Sequence, residues 1–203
     1  ALPISGEFPN LSGAKVIAFD TEGKDPLLQS RGPGFIRGDA ETVGFSLATE
    51  DQAWYFPYGH MSGGNLDKDI CVRYLKDVMA DSSKLVVAAN AQYDLEAAWS
   101  LGVDIKGKIF DIQIAEAIID EERDDGYDLG TLARNYLGLG KDESLLNEAA
   151  SAYGVDPKSG LWKLHSKYVG TYGERDALAT LQIYEKQKLR LRDEDLESIF
   201  DLE

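Results

Sequence analysis

Asp20 and Glu22 stand two residues apart where a short apolar run, Lys15-Val-Ile-Ala-Phe-Asp20, comes to its end. In a strand, residues two apart project from one face, so both carboxylates would meet the same neighbour. Two like charges held together cost energy unless a cation neutralises them. Hard oxygen ligands of this kind suit Mg²⁺ or Mn²⁺. The same residues, Asp20-Thr21-Glu22, also fit an exposed turn with a helix-capping role.

Two further places carry acid beside other polar groups. Asn90-Ala-Gln-Tyr-Asp94 follows a second apolar run, Lys84-Leu-Val-Val-Ala-Ala89. Open α/β sheets place their ligands at such strand ends. Asp94 could equally be a first-turn acid stabilised by a helix dipole, with Asn90 as the cap. In Tyr172-Gly-Glu-Arg-Asp176 the tyrosine and the aspartate are four apart and share a helical face, which Thr180 and Tyr184 continue. Asp176 precedes Ala177, Leu178 and Ala179. A buried carboxylate there asks for a cation or a donor, and a salt bridge to Arg175 would also serve.

The elements that must position these groups follow from the hydrophobic pattern. Strands are expected at Lys15–Asp20, Thr42–Ala48, Ala53–Tyr58, Lys84–Ala89 and Lys108–Asp111. Gly23 to Asp39, rich in glycine and proline, reads as a loop. Helical spacing covers Leu66–Ala80 and Tyr93–Leu101, the latter stopped by Gly102. Beyond Asp111 the pattern is almost wholly helical: Ile112–Ile119, Leu129–Leu137, Glu143–Tyr153, Leu161–Lys167 and Val169–Leu191, then a short acidic helix over Asp193–Glu203. An α/β domain follows, a mixed sheet flanked by helices with a helix-rich second half.

Composition narrows the function classes. The chain has 203 residues, a formal net charge of -15 and one cysteine. That length suits one domain with a sizeable core. A lone Cys71, on the apolar face of a helix, excludes a disulfide framework and a Cys-rich zinc site and suits a reducing, cytoplasmic compartment. His60 and His165 lack companions at zinc-ligand spacing. No run approaches the roughly 18 apolar residues of a membrane span, and Ala1–Asn10 does not read as a signal peptide. The acidic excess is spread along the chain, so long-range attraction to phosphate is absent. Either nucleic acid is not the substrate, or bound cations and a partner supply the positive charge. Trp54, Trp99 and Trp162 read as packing residues.

Taken together and in order, the three acidic segments resemble the three motifs of the DnaQ-like 3′–5′ exonucleases, in the subclass with tyrosine in the third motif. Those motifs read Asp-x-Glu, Asn-x-x-Tyr/Phe-Asp and Tyr-x-x-x-Asp, and stand here as Asp20 to Glu22, Asn90 to Asp94 and Tyr172 to Asp176. The nearest likeness is the proofreading domain of family A (Pol I-like) DNA polymerases. Trp54-Tyr-Phe-Pro-Tyr-Gly-His60, Leu129-Gly-Thr-Leu-Ala-Arg-Asn-Tyr-Leu137 and Asp176-Ala-Leu-Ala-Thr180 are similar to stretches of that family. Ile199-Phe-Asp-Leu-Glu203 resembles the hinge before a polymerase part, which makes residues 193–203 an expected junction and residues 1–13 an N-terminal extension to a single domain. Two departures stand out: a longer loop at Gly23–Asp39, and Ala89 where Gln or His often precedes the motif Asn.

The resemblance implies an RNase H-like fold and two-metal hydrolysis of phosphodiesters at single-stranded DNA 3′ ends, with Mg²⁺ or Mn²⁺ as cofactor. By it, Asp20 bridges both ions, Glu22 and Asp176 complete the site that activates water, and Asp94 holds the second ion. Tyr172 would orient the attacking water; its ordinary pKa near 10 makes it a poor base. Asn90, Tyr93 and Thr21 are the candidate substrate contacts. Tyr93 or Phe35 could stack on a base, although core packing fits each of them, and Lys24, Arg31 and Arg37 could touch the strand or simply lie in a solvated loop. The partner implied is a polymerase domain in the same parent chain, in a bacterial or phage-infected cell, with no membrane. An RNase D-like RNA exonuclease and a non-catalytic scaffold of a replication protein are the alternatives.

Overall fold

Alternation in the first strand sets the architecture. In the computed structural model, which describes residues 8–50, 52–140 and 143–202, β1 spans Val16–Lys24. Ile17 and Phe19 point into a core shared with Leu75 and Met79 of α2 (Lys68–Met79). Ala18 points the other way, into a core shared with Ala177 and Leu181 of α7 (Ser166–Asp193). By the two-residue period Asp20 and Glu22 lie on the α7 side. A small residue followed by two acids on that face leaves room for a helix to approach closely.

The sheet order is β3-β2-β1-β4-β5. β2 (Glu41–Ala48) pairs antiparallel with β1 and with β3 (Ala53–Pro57), while β4 (Leu85–Ala88) and β5 (Lys108–Asp111) run parallel to β1. The two flanks of β1 differ in length. β2 accompanies it from Ala18 to Lys24, but β4 leaves after the Ala18–Val87 pair. Past Ala18, β1 has an open edge on its β4 side. That notch lies at the carboxyl end of β1 and β4, where open α/β sheets bind ligands.

The remaining elements are α1 (Leu28–Arg31), α3 (Ala91–Ser100), α4 (Ile112–Ile119), α5 (Leu129–Leu137), α6 (Ser144–Tyr153) and α8 (Glu197–Phe200). Caps mark their ends. Asp67 accepts from Ile70 N–H at α2, Asp128 accepts from Gly130 and Thr131 at α5, and Gly138 takes the left-handed conformation that ends α5. The α/β expectation, a mixed sheet with a helix-rich second half, is what the chain adopts. Among the described residues no helix is long and apolar enough to cross a membrane.

Several local expectations are corrected. β1 runs on to Lys24, and the expected loop contains the single turn α1. The helix expected at Leu161–Lys167 is a 3₁₀ turn over Leu161–Lys163; Leu164 and His165 are extended, and the His165 ring accepts from Lys167 N–H to start α7. The acidic tail is the end of α7, a left-handed Asp195 and α8. Trp99 is 54% exposed and does not pack in the core. Of the expected N-terminal extension, residues 1–7 lie outside the described residues, but residues 8–13 belong to the fold. Phe8 stacks on Phe56 and meets Tyr74 at a tilt, Leu11 is buried, and the buried Lys84 ammonium donates to the carbonyls of Leu11 and Ala14.

Under the start of α7, the Tyr55 hydroxyl and His60 Nε2 share a 2.6 Å hydrogen bond. Burial pushes the His60 pKa down to about 4, against the opposing pull of the Leu164 and Leu161 backbone. The folded protein therefore resists protonating this ring. Stability from this source is full above pH ~6.5 and drains away as pH falls toward the folded value, by ~3 kcal/mol in all. A His60→Gln variant should lose that arm of the stability–pH curve in urea titrations between pH 7 and 4. Truncating the fully buried Ile17 to Ala should cost ~2–5 kcal/mol at neutral pH in the same assay.

Candidate active site

Asp94 is tied to β1 at the open edge. The N–H of Thr21, on the strand whose β4 partner has ended, donates to Asp94 Oδ1 at 2.9 Å, and the Thr21 hydroxyl donates to the same oxygen at 2.6 Å. Hydrogen bonds to a charged acceptor of this kind are worth ~1.5–3 kcal/mol each. Thr21 is buried and holds the second acidic segment against the first. Thr21, one of the candidate substrate contacts, thus directs its hydroxyl hydrogen to Asp94.

Asp94 can reach Thr21 because α3 starts at Ala91, two residues earlier than its pattern suggests. The cause is Asp111, the last residue of β5. Its carboxylate accepts from the N–H groups of Asn90 at 3.2 Å and Ala91 at 2.7 Å, and also from Gln113 at the start of α4, at 2.8 Å. One buried acid thus caps two helices. Asn90 sits at the cap position with left-handed φ of 65° and makes no side-chain cap bond, so the capping reading of Asn90 is replaced by Asp111. A strand-final Asp before a helical run signals the α4 cap; its reach to α3 is tertiary and invisible in the sequence.

α7 supplies the third segment. Tyr172 is hydrogen-bonded to Asp176 one turn on and feels, after burial, the charges of Glu22, Asp176 and Asp20, which push its hydroxyl far above the ordinary range. Glu22 is pushed up to about 8 by burial first, then by Asp176 and Asp94. Burial raises Asp94 to about 7, with the two Thr21 hydrogen bonds pulling down and Asp111 pushing up. Asp20, Glu22, Asp94 and Asp176 are therefore neighbours in one electrostatic field, drawn from β1, α3 and α7. They are not clenched: among the described residues no three acids, histidines or cysteines gather closely enough to make a ready ligand cluster. An all-carboxylate set in which Glu22 and Asp94 are driven toward protonation, by burial first and by neighbouring charge second, is chemically matched to a hard divalent cation.

The remaining candidates divide. Tyr93 packs edge-on against Phe35 at 5.0 Å, and Phe35 is buried with Ala40 and Ala97, so the packing reading holds for Phe35. Arg37 donates to Asp39 and to the carbonyls of Arg31, Gly32 and Pro33, and Arg31 pairs with Asp39 at 3.6 Å. Lys24 lies 4.8 Å above the Trp162 ring. The two arginines organise their own loop, whereas Lys24 at the end of β1 faces Trp162. Asp111→Ala should destabilise the chain by ~1–3 kcal/mol, more than Asp111→Asn, which keeps an acceptor oxygen. Urea unfolding, with amide exchange at Ala91 and Gln113, checks it.

With this geometry in hand, the likeness to known proteins is specific. A family model described as 3′–5′ exonuclease, from the A family of DNA polymerases, matches residues 8–192. A DNA-directed DNA polymerase of Pseudomonas phage M6 is 36% identical over 205 residues, covering 99% of this chain and 31% of that protein. DNA polymerase I of Pseudomonas aeruginosa is 29% identical over 183 residues, covering 86% of this chain and 18% of its own length. The chain thus spans less than a third of either polymerase. Brucella melitensis NrnC with bound Mg²⁺ superimposes with a TM-score of 0.64 at 14% identity, over 96% of this chain and 83% of that one, and shares the fold. A sheet edge gathering acids from β1, α3 and α7, and a family match spanning nearly the whole chain, place this protein in the 3′–5′ exonuclease family of A-type DNA polymerases.

Proposed function

We propose that this domain removes nucleotides from single-stranded or frayed DNA 3′ ends as the proofreading part of a polymerase chain, in the tyrosine subclass of its family. The observation that supports the reading is that Glu22 lies within the electrostatic reach of Asp176 and Asp94, and Tyr172 within that of Glu22, Asp176 and Asp20. The four carboxylates would hold two divalent ions, Mg²⁺ or Mn²⁺. Bound there, the ions would acidify water and offset charge on the phosphate oxygens.

The chain's own groups do the rest. Thr21 occupies Asp94 Oδ1, which fixes the carboxylate and leaves its second oxygen to offer. Tyr172 keeps its proton at neutral pH, because burial and the surrounding carboxylates oppose a phenolate. It therefore orients the attacking water by hydrogen bonding and does not take its proton. Asn90 and Tyr93, on either side of the α3 start, would contact the terminal nucleotide. Cation-loaded carboxylates also answer the charge problem: an acidic chain of net charge -15 attracts phosphate only where dications are held.

End-labelled oligonucleotides with Mg²⁺ or Mn²⁺ should give a ladder from the 3′ end, abolished by a blocked 3′ end and by chelation. Asp20→Ala/Glu22→Ala should lower the rate by on the order of 10³-fold or more, comparable to removing strong electrostatic groups from other active sites. Undiminished cleavage by that double variant would refute the assignment. Clear preference for a matched RNA oligomer would move the substrate to the RNase D-like alternative. Calorimetry showing no Mn²⁺ binding would restore the scaffold reading.

A further inference from the structure

Glu22 has a neighbour that the three motifs do not contain. In the β1–β2 register Glu22 faces Gly44, and in the β2–β3 register Tyr55 faces Ser46, one row away on the same side of the sheet. The Tyr55 ring leans along that side so that its hydroxyl lies where a side chain on Gly44 would begin. Directly opposed Cβ atoms in a sheet stand about 4.5–5.5 Å apart, and the hydroxyl overlaps the Cβ position of Gly44, which puts it within about 8 Å of the Glu22 Cβ. Only glycine at position 44 leaves the space.

The ring is sealed in place from above and behind. A Cβ on Gly173 of α7 would stand 2.6 Å from Ser46 Oγ and 3.3 Å from the Tyr55 ring, so α7 closes directly on both. Glu174 of α7 accepts from the Tyr55 N–H at 3.3 Å. Tyr55 is fully buried, and its hydroxyl is held by His60 at 2.6 Å. His60 is in turn clasped by Asn65, which accepts from its N–H at 2.9 Å and donates to its carbonyl at 2.8 Å. Tyr58 does not compete for this imidazole, because its own hydroxyl donates to Thr42.

A phenol this deep needs a hydrogen-bond partner, and phenylalanine would fill the volume without that requirement. The hydroxyl instead stands beside Gly44, the residue that faces Glu22, and burial first, then the charges of Glu22, Tyr58 and Asp20, keep it protonated. Glutamate has three side-chain torsions to restrain, and a rigid polar wall on its strand-neighbour's side restrains them. We propose that Tyr55, held by His60, is a positioning residue for Glu22, fixing the direction in which its carboxylate meets the acids of α3 and α7. The proposal rests on the exonuclease reading.

Calorimetric Mn²⁺ titration and steady-state kinetics on a DNA oligonucleotide test it together. Tyr55→Phe should retain the wild-type fold by circular dichroism, weaken Mn²⁺ binding ~10-fold, as loss of supporting contacts does at metal sites, and lower kcat with little change in KM. His60→Ala should do the same, while His60→Gln, whose amide can still meet the phenol, should stay close to wild type. In a Glu22→Gln background Tyr55→Phe should have no further effect on Mn²⁺ affinity. Wild-type Mn²⁺ affinity and kcat in both Tyr55→Phe and His60→Ala would overturn the proposal alone. An equal loss with or without Glu22 would also overturn it. Failure of the wild-type chain to bind Mn²⁺ would overturn the exonuclease reading and this proposal with it.

Discussion

Keeping several carboxylates together and partly out of water, where burial is the larger penalty and mutual repulsion the smaller, is the constraint on which the rest of this site depends. Asp20 and Glu22 share a face of β1 because the strand has a two-residue period, and α7 covers that face. The same α7 carries Tyr172 and Asp176 into the notch, and Asp111 sets the helix that carries Asp94. Each of these placements is unfavourable for a carboxylate in isolation. They are tolerated because neighbouring groups restrain each acid: Thr21 for Asp94, Tyr172 for Asp176, and the N–H groups of two helices for Asp111.

The notch itself arises from unequal strand lengths. A sheet in which β4 continued beside β1 would have supplied Thr21 with a backbone acceptor and left Asp94 nothing to hold. Because β4 stops after four residues, a side chain from α3 takes over the ladder position, and the ladder's end becomes the floor of a site. Structural necessity and functional geometry here meet in one hydrogen bond. Close-approach glycines make the opposite contribution, since Gly44 and Gly173 let an aromatic ring lie flat between sheet and helix without pushing them apart.

Much of this was legible in the chain itself. The strand periods, the helical second half and the three acidic segments can be read directly, because hydrophobic alternation and short motif spacing are local properties. What was hidden depends on contacts distant in sequence. Asp111 reads as the cap of α4 and conceals its second role, since Asn90 and Ala91 lie about twenty residues before it. Thr21 reads as a candidate substrate contact, and its bond to Asp94, 73 residues away, is hidden in the sequence. The turn at Leu161–Lys163 reads as a helix because its apolar spacing is right, but His165 must be extended for its ring to cap α7. Trp99 reads as core because tryptophan usually is, and its position on the outer side of α3 is fixed by which face of that helix meets the sheet.

The segment leading into β1 is fastened in an unusual currency. Lys84 reaches it through main-chain oxygens of Leu11 and Ala14, groups that every amino acid provides. Replacement of Ser12 or Gly13 by other residues leaves those oxygens in place. This part of the anchorage is therefore indifferent to drift at Ser12 and Gly13, whereas the packing of Phe8 and Leu11 depends on their own side chains.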